Sequence, residues 1–162
     1  MIIQKAGKKE TRILSDIISQ ANIPVAAQFG LFADNAPSHP SFCTPEWIIA
    51  GMDRGEAYFL GQMGDQAVGC VAYESPEPEI AYLNRLAVLP GFQNKGVGKK
   101  LVSHVIDRAR KDEKKQVSIG IIKAHKSLKN WYLSLGFEIS GTKVFDHLPF
   151  DVLFMTLDLN AR

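Results

Sequence analysis

The segment Gln93-Asn94-Lys95-Gly96-Val97-Gly98 stands between an apolar run, Leu86-Ala87-Val88, and a stretch whose apolar residues recur at helical spacing. Two glycines one residue apart, Gly96 and Gly98, let the backbone approach a ligand with no Cβ in the way. A helix opening directly after such a turn offers unpaired N–H groups and the positive end of its dipole. A phosphate group fits that arrangement. Gln93, Asn94, Lys95, Lys99 and Lys100 add polar and positive side chains around the same turn. The segment therefore reads as a pyrophosphate cradle opening a helix. Its bland alternative is a strand-to-helix turn of structural value only, and the segment alone does not separate the two.

Two common phosphate loops do not match. A Walker A loop needs Lys and then Ser or Thr directly after its second glycine, whereas Val97 follows Gly96. The dinucleotide fingerprint lacks its third glycine three residues after Gly98. What remains is a strand ending Leu-Ala-Val, a Pro90-Gly91-Phe92 turn, then Gln-x-x-Gly-x-Gly into a helix. This resembles the acetyl-coenzyme-A loop of the GCN5-related N-acetyltransferases (GNAT), whose pattern is Arg/Gln-x-x-Gly-x-Gly/Ala. A second stretch, Leu128-Lys129-Asn130-Trp131-Tyr132-Leu133-Ser134-Leu135-Gly136-Phe137, is similar to that family's later signature, a helical Tyr followed by Gly-Phe. The two motifs come in the family's order, separated by about a helix, a strand and a second helix. The resemblance covers roughly residues 56 to 158, and the N-terminal third only by position.

Bulk properties agree with an enzyme of this kind. A chain of 162 residues is expected to form one domain, 1–162, with a sizeable core. A net charge of +2 is too small to argue for nucleic acid as a partner. No apolar run approaches the ~20 residues of a membrane span, so no membrane partner is expected. Met1-Ile2-Ile3-Gln4-Lys5 lacks the apolar core of a signal peptide, which makes a cytoplasmic location the expectation. Cys43 and Cys70 allow a disulfide but do not call for one there.

Along the chain, Ile2 to Lys5 reads as an edge strand and Thr11 to Ala21 as a helix, with Ile13, Leu14, Ile17 and Ile18 on one side. Pro24 to Pro40 reads as irregular, with Gly30, Pro37 and Pro40 as breakers. Thr44-Pro45-Glu46 opens a short helix to about Met52. Ala57 to Leu60 and Ala67 to Tyr73 are strands around a Gly61 to Asp65 turn, and Ile80 to Leu89 reads as a central strand. Val97, Leu101, Val102, Val105, Ile106 and Ala109 form one stripe of a helix from Lys95 to about Arg110. Val117 to Ile122 is a strand, a helix ends at Gly136, and Phe137 to Phe145 and Val152 to Leu159 close the sheet. The pattern gives an α/β mixed sheet with helices on both sides. The resemblance sharpens this to a splayed, mostly antiparallel sheet of about seven strands whose gap holds a pantetheine arm.

The resemblance also implies roles. Backbone groups of Leu86, Ala87 and Val88 would pair with the pantetheine amides, and those of Asn94 through Lys99 would hold the pyrophosphate. Acetyl-CoA is the implied cosubstrate, and a primary amine, small molecule or peptide, the implied acceptor. Tyr132 lies on an apolar helix face and reads on spacing alone as a core residue; the resemblance makes it the general acid that protonates the thiolate. His125 stands where relatives commonly have Asn, and either takes over a cofactor contact or caps the helix. Relatives that carry a catalytic Glu on the central or the following strand have it at positions matching Tyr82 or Gly120, neither of which is a carboxylate here. Glu79, Asp146 and His147 remain as candidates for a base acting through water. No His, Cys and carboxylate cluster has metal-ligand spacing, so no metal is expected. Transfer of another acyl group, a coenzyme-A-binding regulatory domain without catalysis, and a homodimer all stay open.

Overall fold

The structure is a computed structural model that describes residues 1–160; Ala161 and Arg162, the last two of the expected 1–162 domain, lie outside the described residues. Among the described residues seven strands form one sheet in the order β1-β2-β3-β4-β5-β7-β6. They are β1 (Ile2–Ala6), β2 (Ala57–Met63), β3 (Gln66–Glu74), β4 (Ile80–Val88), β5 (Gln116–Ile122), β6 (Glu138–Lys143) and β7 (Val152–Asp158). The helices are α1 (Thr11–Phe29), α2 (Pro45–Arg54), α3 (Val97–Lys111) and α4 (Lys126–Ser134). Among the described residues only β4 and β5 run parallel; every other pairing is antiparallel. No helix among the described residues is long and apolar enough to cross a membrane.

The two faces of the sheet bury separate cores. On one, Leu101, Val102, Val105 and Ala109 of α3 and Tyr132 of α4 pack on Val71, Leu83, Val117, Ile119 and Met155. On the other, Leu14, Ile17 and Ile18 of α1 and Ile48 of α2 pack on Tyr58, Leu60, Cys70, Ala72 and Ala87. The stripe expected on α3 is the buried one, beginning at Val97. Both cysteines are buried and free.

The turn expected at Gly61 to Asp65 is shorter, since β2 runs on to Met63, and the expectation for the N-terminal third needs a larger correction. The chain from Pro24 is not irregular: α1 runs through Pro24 to Phe29. Pro24 removes one N–H and one hydrogen bond from the helix, yet it sits on the exposed side. The turn beyond it buries Ala26, which joins Leu31 and Ala36 in a small cluster with Phe29, Ile122 and Phe150. Tertiary packing here outweighs a local breaker. The helix stops at Gly30, whose φ of 64° is left-handed and whose N–H bonds the Ala26 carbonyl.

Candidate active site

The opening in the sheet lies between its two parallel strands. Ile80, Ala81 and Tyr82 pair with Gln116, Val117 and Ser118, and the pairing ends there. From Leu83 to Val88 the edge of β4 that faces β5 has no strand partner, so its backbone donors and acceptors look into the gap. β4 is also bulged. Cys70 pairs with Ala87 and Ala72 with Asn84, which leaves Arg85 and Leu86 together opposite Val71. Arg85 takes a φ of 54° to make the bulge. For a residue with a side chain that conformation costs about 1–2 kcal/mol, so the surrounding packing must hold it.

The bulge changes which way side chains face. Ala81 and Leu83 belong to the α3-side core, and beyond the bulge Leu86 and Val88 pack against that same core while Ala87 faces α1. Leu86, Ala87 and Val88, expected to meet a pantetheine arm through their backbone, thus form the wall of the gap just past the bulge.

The glycine loop follows directly. Pro90–Phe92 make a 3₁₀ turn, Asn94 (φ 61°) and Gly96 (φ 83°) turn the chain through left-handed positions, and buried Val97 anchors the first turn of α3. Gln93 is drawn back to β4, its Nε2 donating to the Val88 carbonyl at 3.2 Å. Lys95 sits over the Phe92 ring at 5.5 Å, while Lys99 and Lys100 are exposed. No side chain caps α3 and no acidic residue stands in its first turn. The first main-chain bond of that turn is Lys100 N–H to the Gly96 carbonyl. The N–H groups of Val97, Gly98 and Lys99 precede that bond and have no capping side chain, an arrangement that suits an anion.

The second motif meets the first in space. A Cβ on Gly98 would lie 3.3 Å from the Trp131 ring, so α4 packs its Trp131 directly on the first turn of α3. Tyr132 follows, its ring edge-on to Trp131 (4.9 Å) and to Phe137 (5.3 Å). Gly136 (φ 99°) reverses the chain so that Phe137 N–H bonds the Tyr132 carbonyl, which explains why Gly-Phe accompanies this Tyr. Tyr132 is 4% exposed, and burial pushes its hydroxyl pKa well up, so it stays protonated. No enclosed side-chain N or O among the described residues lacks a partner, and the Tyr132 hydroxyl makes no hydrogen bond to the protein. The hydroxyl is therefore not sealed off completely, and its proton is unclaimed by the protein.

The other expected residues are spread more widely. His125 ends the connection from β5 to α4 without a side-chain cap bond; its Nδ1 lies 3.2 Å from Ser127 Oγ and its ring 5.4 Å from Phe29. Burial lowers its pKa. His147 is exposed on the β6–β7 loop against Phe145. That loop is tied to the splayed end of β5 by Phe150 and by Lys123 N–H to the Asp151 carbonyl. Glu79 lies at the opposite, paired end of β4, about 20 Å along the strand from the bulge, with its carboxylate on Lys115 at 2.9 Å. The fold does not bring Glu79 to the gap. Tyr82 donates to Glu77, and Gly120 lies opposite Phe154.

Sequence reasoning missed a polar group under α2. The Glu56 side chain is 3% exposed, accepts from Tyr58 (3.0 Å) and Asn84 (2.8 Å), and pairs with Arg54 (3.3 Å). Asn84 also donates to Glu74. Gly51 makes room for that carboxylate, since a Cβ there would stand 2.0 Å from Glu56 Oε1. Beside it the Arg85 guanidinium stacks on Trp47 at 5.5 Å. Two signals were legible: a lone Glu at the mouth of an apolar strand, and an Arg inside one. Among the described residues no group of three or more His, Cys, Asp or Glu could hold a metal.

Known proteins agree with this architecture. The model of the acetyltransferase (GNAT) family matches residues 26–137. The ribosomal-protein-S18-alanine N-acetyltransferase of Escherichia coli superposes with a TM-score of 0.78 at 16% identity, over 99% of this chain and 95% of that one. The putative acetyltransferase yncA of Salmonella typhimurium, solved with its cofactor acetyl-CoA, gives 0.70 at 22% identity over 99% and 95%. A GNAT family acetyltransferase of Elizabethkingia anophelis with acetyl-CoA bound gives 0.70 at 19% identity over 98% and 97%. No curated protein matches the sequence. With the family model spanning more than half of its length, from α1 to the end of the Tyr-Gly-Phe motif, the chain belongs to the GNAT acetyltransferase family.

Proposed function

We propose that this protein transfers an acetyl group from acetyl-CoA to a primary amine by direct attack within a ternary complex. The observation that carries the reading is the gap between β4 and β5, bounded by the unpaired β4 edge and followed by the uncapped start of α3; the Tyr132 hydroxyl, unpartnered on the helix that packs against that start, supports it. The first suits amides of an extended arm and the second a pyrophosphate. Solved relatives of this fold hold acetyl-CoA.

Acetyl-CoA supplies an activated thioester. The N–H groups of Val97, Gly98 and Lys99 would hold its pyrophosphate, and the backbone of Leu86 to Val88 its pantetheine. An N–H at the bulge would also hold the negative charge that develops on the carbonyl oxygen. Tyr132 would give its proton to the departing thiolate. The amine must arrive uncharged, against a reference pKa of about 10.4 for a lysine-like amine. Of the candidate bases, His147 stands on the loop at the splayed end and Glu79 at the far end, so His147 is the better placed to take that proton through water. A binding domain without chemistry draws support from the lack of a carboxylate at Tyr82 and Gly120. The free hydroxyl of Tyr132 favours catalysis.

Thiol release from acetyl-CoA, followed against metabolite amines, polyamines, antibiotics and peptide N-termini, tests the reading. Turnover with at least one acceptor class is expected. Tight acetyl-CoA binding with no turnover on any class would favour the regulatory alternative.

A further inference from the structure

We propose that Arg85 binds a carboxylate carried by the acceptor, so that the protein acts on amines that are also carboxylic acids. This rests on the acyl-transfer reading and adds to it the chemistry of the second substrate.

The β4 bulge is what gives Arg85 this position. In an unbroken strand, Arg85 would share the face of Ala81 and Leu83 and enter the α3-side core. With Arg85 and Leu86 both opposite Val71, the side chain goes instead to the α2 side, where its guanidinium stacks on Trp47. Trp47 packs with the α2-side core, and the Arg85 carbonyl accepts from Cys70 Sγ of that same core at 3.7 Å. The next residue, Leu86, begins the backbone wall proposed for the pantetheine arm. Arg85 therefore stands at the reacting end, across the sheet from the pyrophosphate helix.

This guanidinium has no counter-ion. Among the described residues no carboxylate oxygen comes within 4.0 Å of it, and it donates no hydrogen bond to the protein. Glu56, the nearby acid, is occupied by Arg54, Tyr58 and Asn84. A half-buried arginine held in an unfavourable backbone conformation, placed over an indole ring and left without a carboxylate partner, is prepared for a ligand anion. Its planar fork matches a carboxylate in two parallel hydrogen bonds. One cation balances one carboxylate, whereas a phosphate near neutral pH carries closer to two charges.

The experiment compares kcat/KM by thiol release for L-amino acids and dipeptides with a free α-amine, each as the free acid and as its methyl ester. Phosphoethanolamine is included as the phosphate arm. Wild type should prefer the free acid by roughly 10- to 100-fold, the size expected for charge-assisted hydrogen bonds. In Arg85→Gln, which keeps a stem to lie on Trp47, the acid-to-ester ratio should fall to about one. Arg85→Lys should retain part of the preference. A merely structural Arg85 would lower rates on acid and ester together and leave their ratio unchanged; that result overturns the proposal. So does preference for esters or for phosphoethanolamine in wild type, a result that does not depend on either variant folding. So does the absence of turnover on every acid and ester while acetyl-CoA still raises the melting temperature. If acetyl-CoA does not stabilise the wild type at all, the acyl-transfer reading falls, and this proposal with it.

Discussion

The two faces of the sheet meet their proposed ligands by different means. On the α3 side the offered groups are backbone N–H atoms: those of Val97, Gly98 and Lys99 at an uncapped helix start, and those of the β4 edge beyond Tyr82. On the α2 side they are side chains, Arg85 on Trp47 beside the Glu56, Tyr58 and Asn84 group. Backbone recognition needs one continuous segment with its glycines in place. Side-chain recognition can be assembled from α2 and β2 together with β4, which comes only after an intervening strand. The first can therefore be read locally, whereas the second needs the fold.

Four perturbations test that contrast, the largest first. Tyr132→Phe removes one hydroxyl from the α3 side. It should lower kcat by about 10²- to 10⁴-fold, the usual range for losing a general acid, with the acetyl-CoA Kd unchanged. Stopped-flow and steady-state thiol release check both; an unchanged rate where chemistry is limiting would leave Tyr132 as packing.

Gly98→Val should block backbone approach at the cradle. Acetyl-CoA at a hundred times its wild-type Kd should stabilise the wild type by about 2.7 kcal/mol and the variant not at all. Because a Cβ at Gly98 already meets Trp131 at 3.3 Å, the ligand-free melting temperature of the variant must be recorded as the baseline.

Gly51→Ala strikes the other face. Its Cβ would displace the Glu56 carboxylate from its three partners, and overpacking of this kind costs about 1–3 kcal/mol. Denaturant unfolding should report that loss while acetyl-CoA binding stays intact. Loss of acetyl-CoA binding would show the two faces to be coupled.

The smallest effect is a pH dependence. Burial lowers the pKa of His39, His104 and His125 in the folded protein. The unfolded chain then binds more protons as pH falls below the reference value near 6.5, so stability should rise with pH through that window and fall on acidification. Melting curves between about pH 5 and pH 7.5 test the sign.

These differences also explain what was legible in the sequence. The Gln93–Gly98 loop, the α3 stripe from Val97 to Ala109 and the Tyr132-Gly136-Phe137 turn each lie within one segment, where spacing carries the geometry. The seven strands were legible because apolar runs and turns alternate cleanly. Past Pro24 the sequence misled: a local breaker was outweighed by the burial of Ala26, Leu31 and Ala36, which only the fold brings together. Glu79 looked like a base because its position along β4 said nothing of where β4 and β5 part. Arg85 was visible as a charge inside an apolar strand, but its direction depends on a bulge set by pairing with β3.

The central claim is that acetyl-CoA lies along β4 and ends on the first turn of α3, and backbone amide resonances report this most directly. In a ¹⁵N-labelled sample titrated with acetyl-CoA, the largest shifts should fall on Leu86 to Val88 and on Asn94 to Lys99, saturating together at one equivalent. Saturable binding with those amides unmoved, and the shifts gathered elsewhere, would contradict the account.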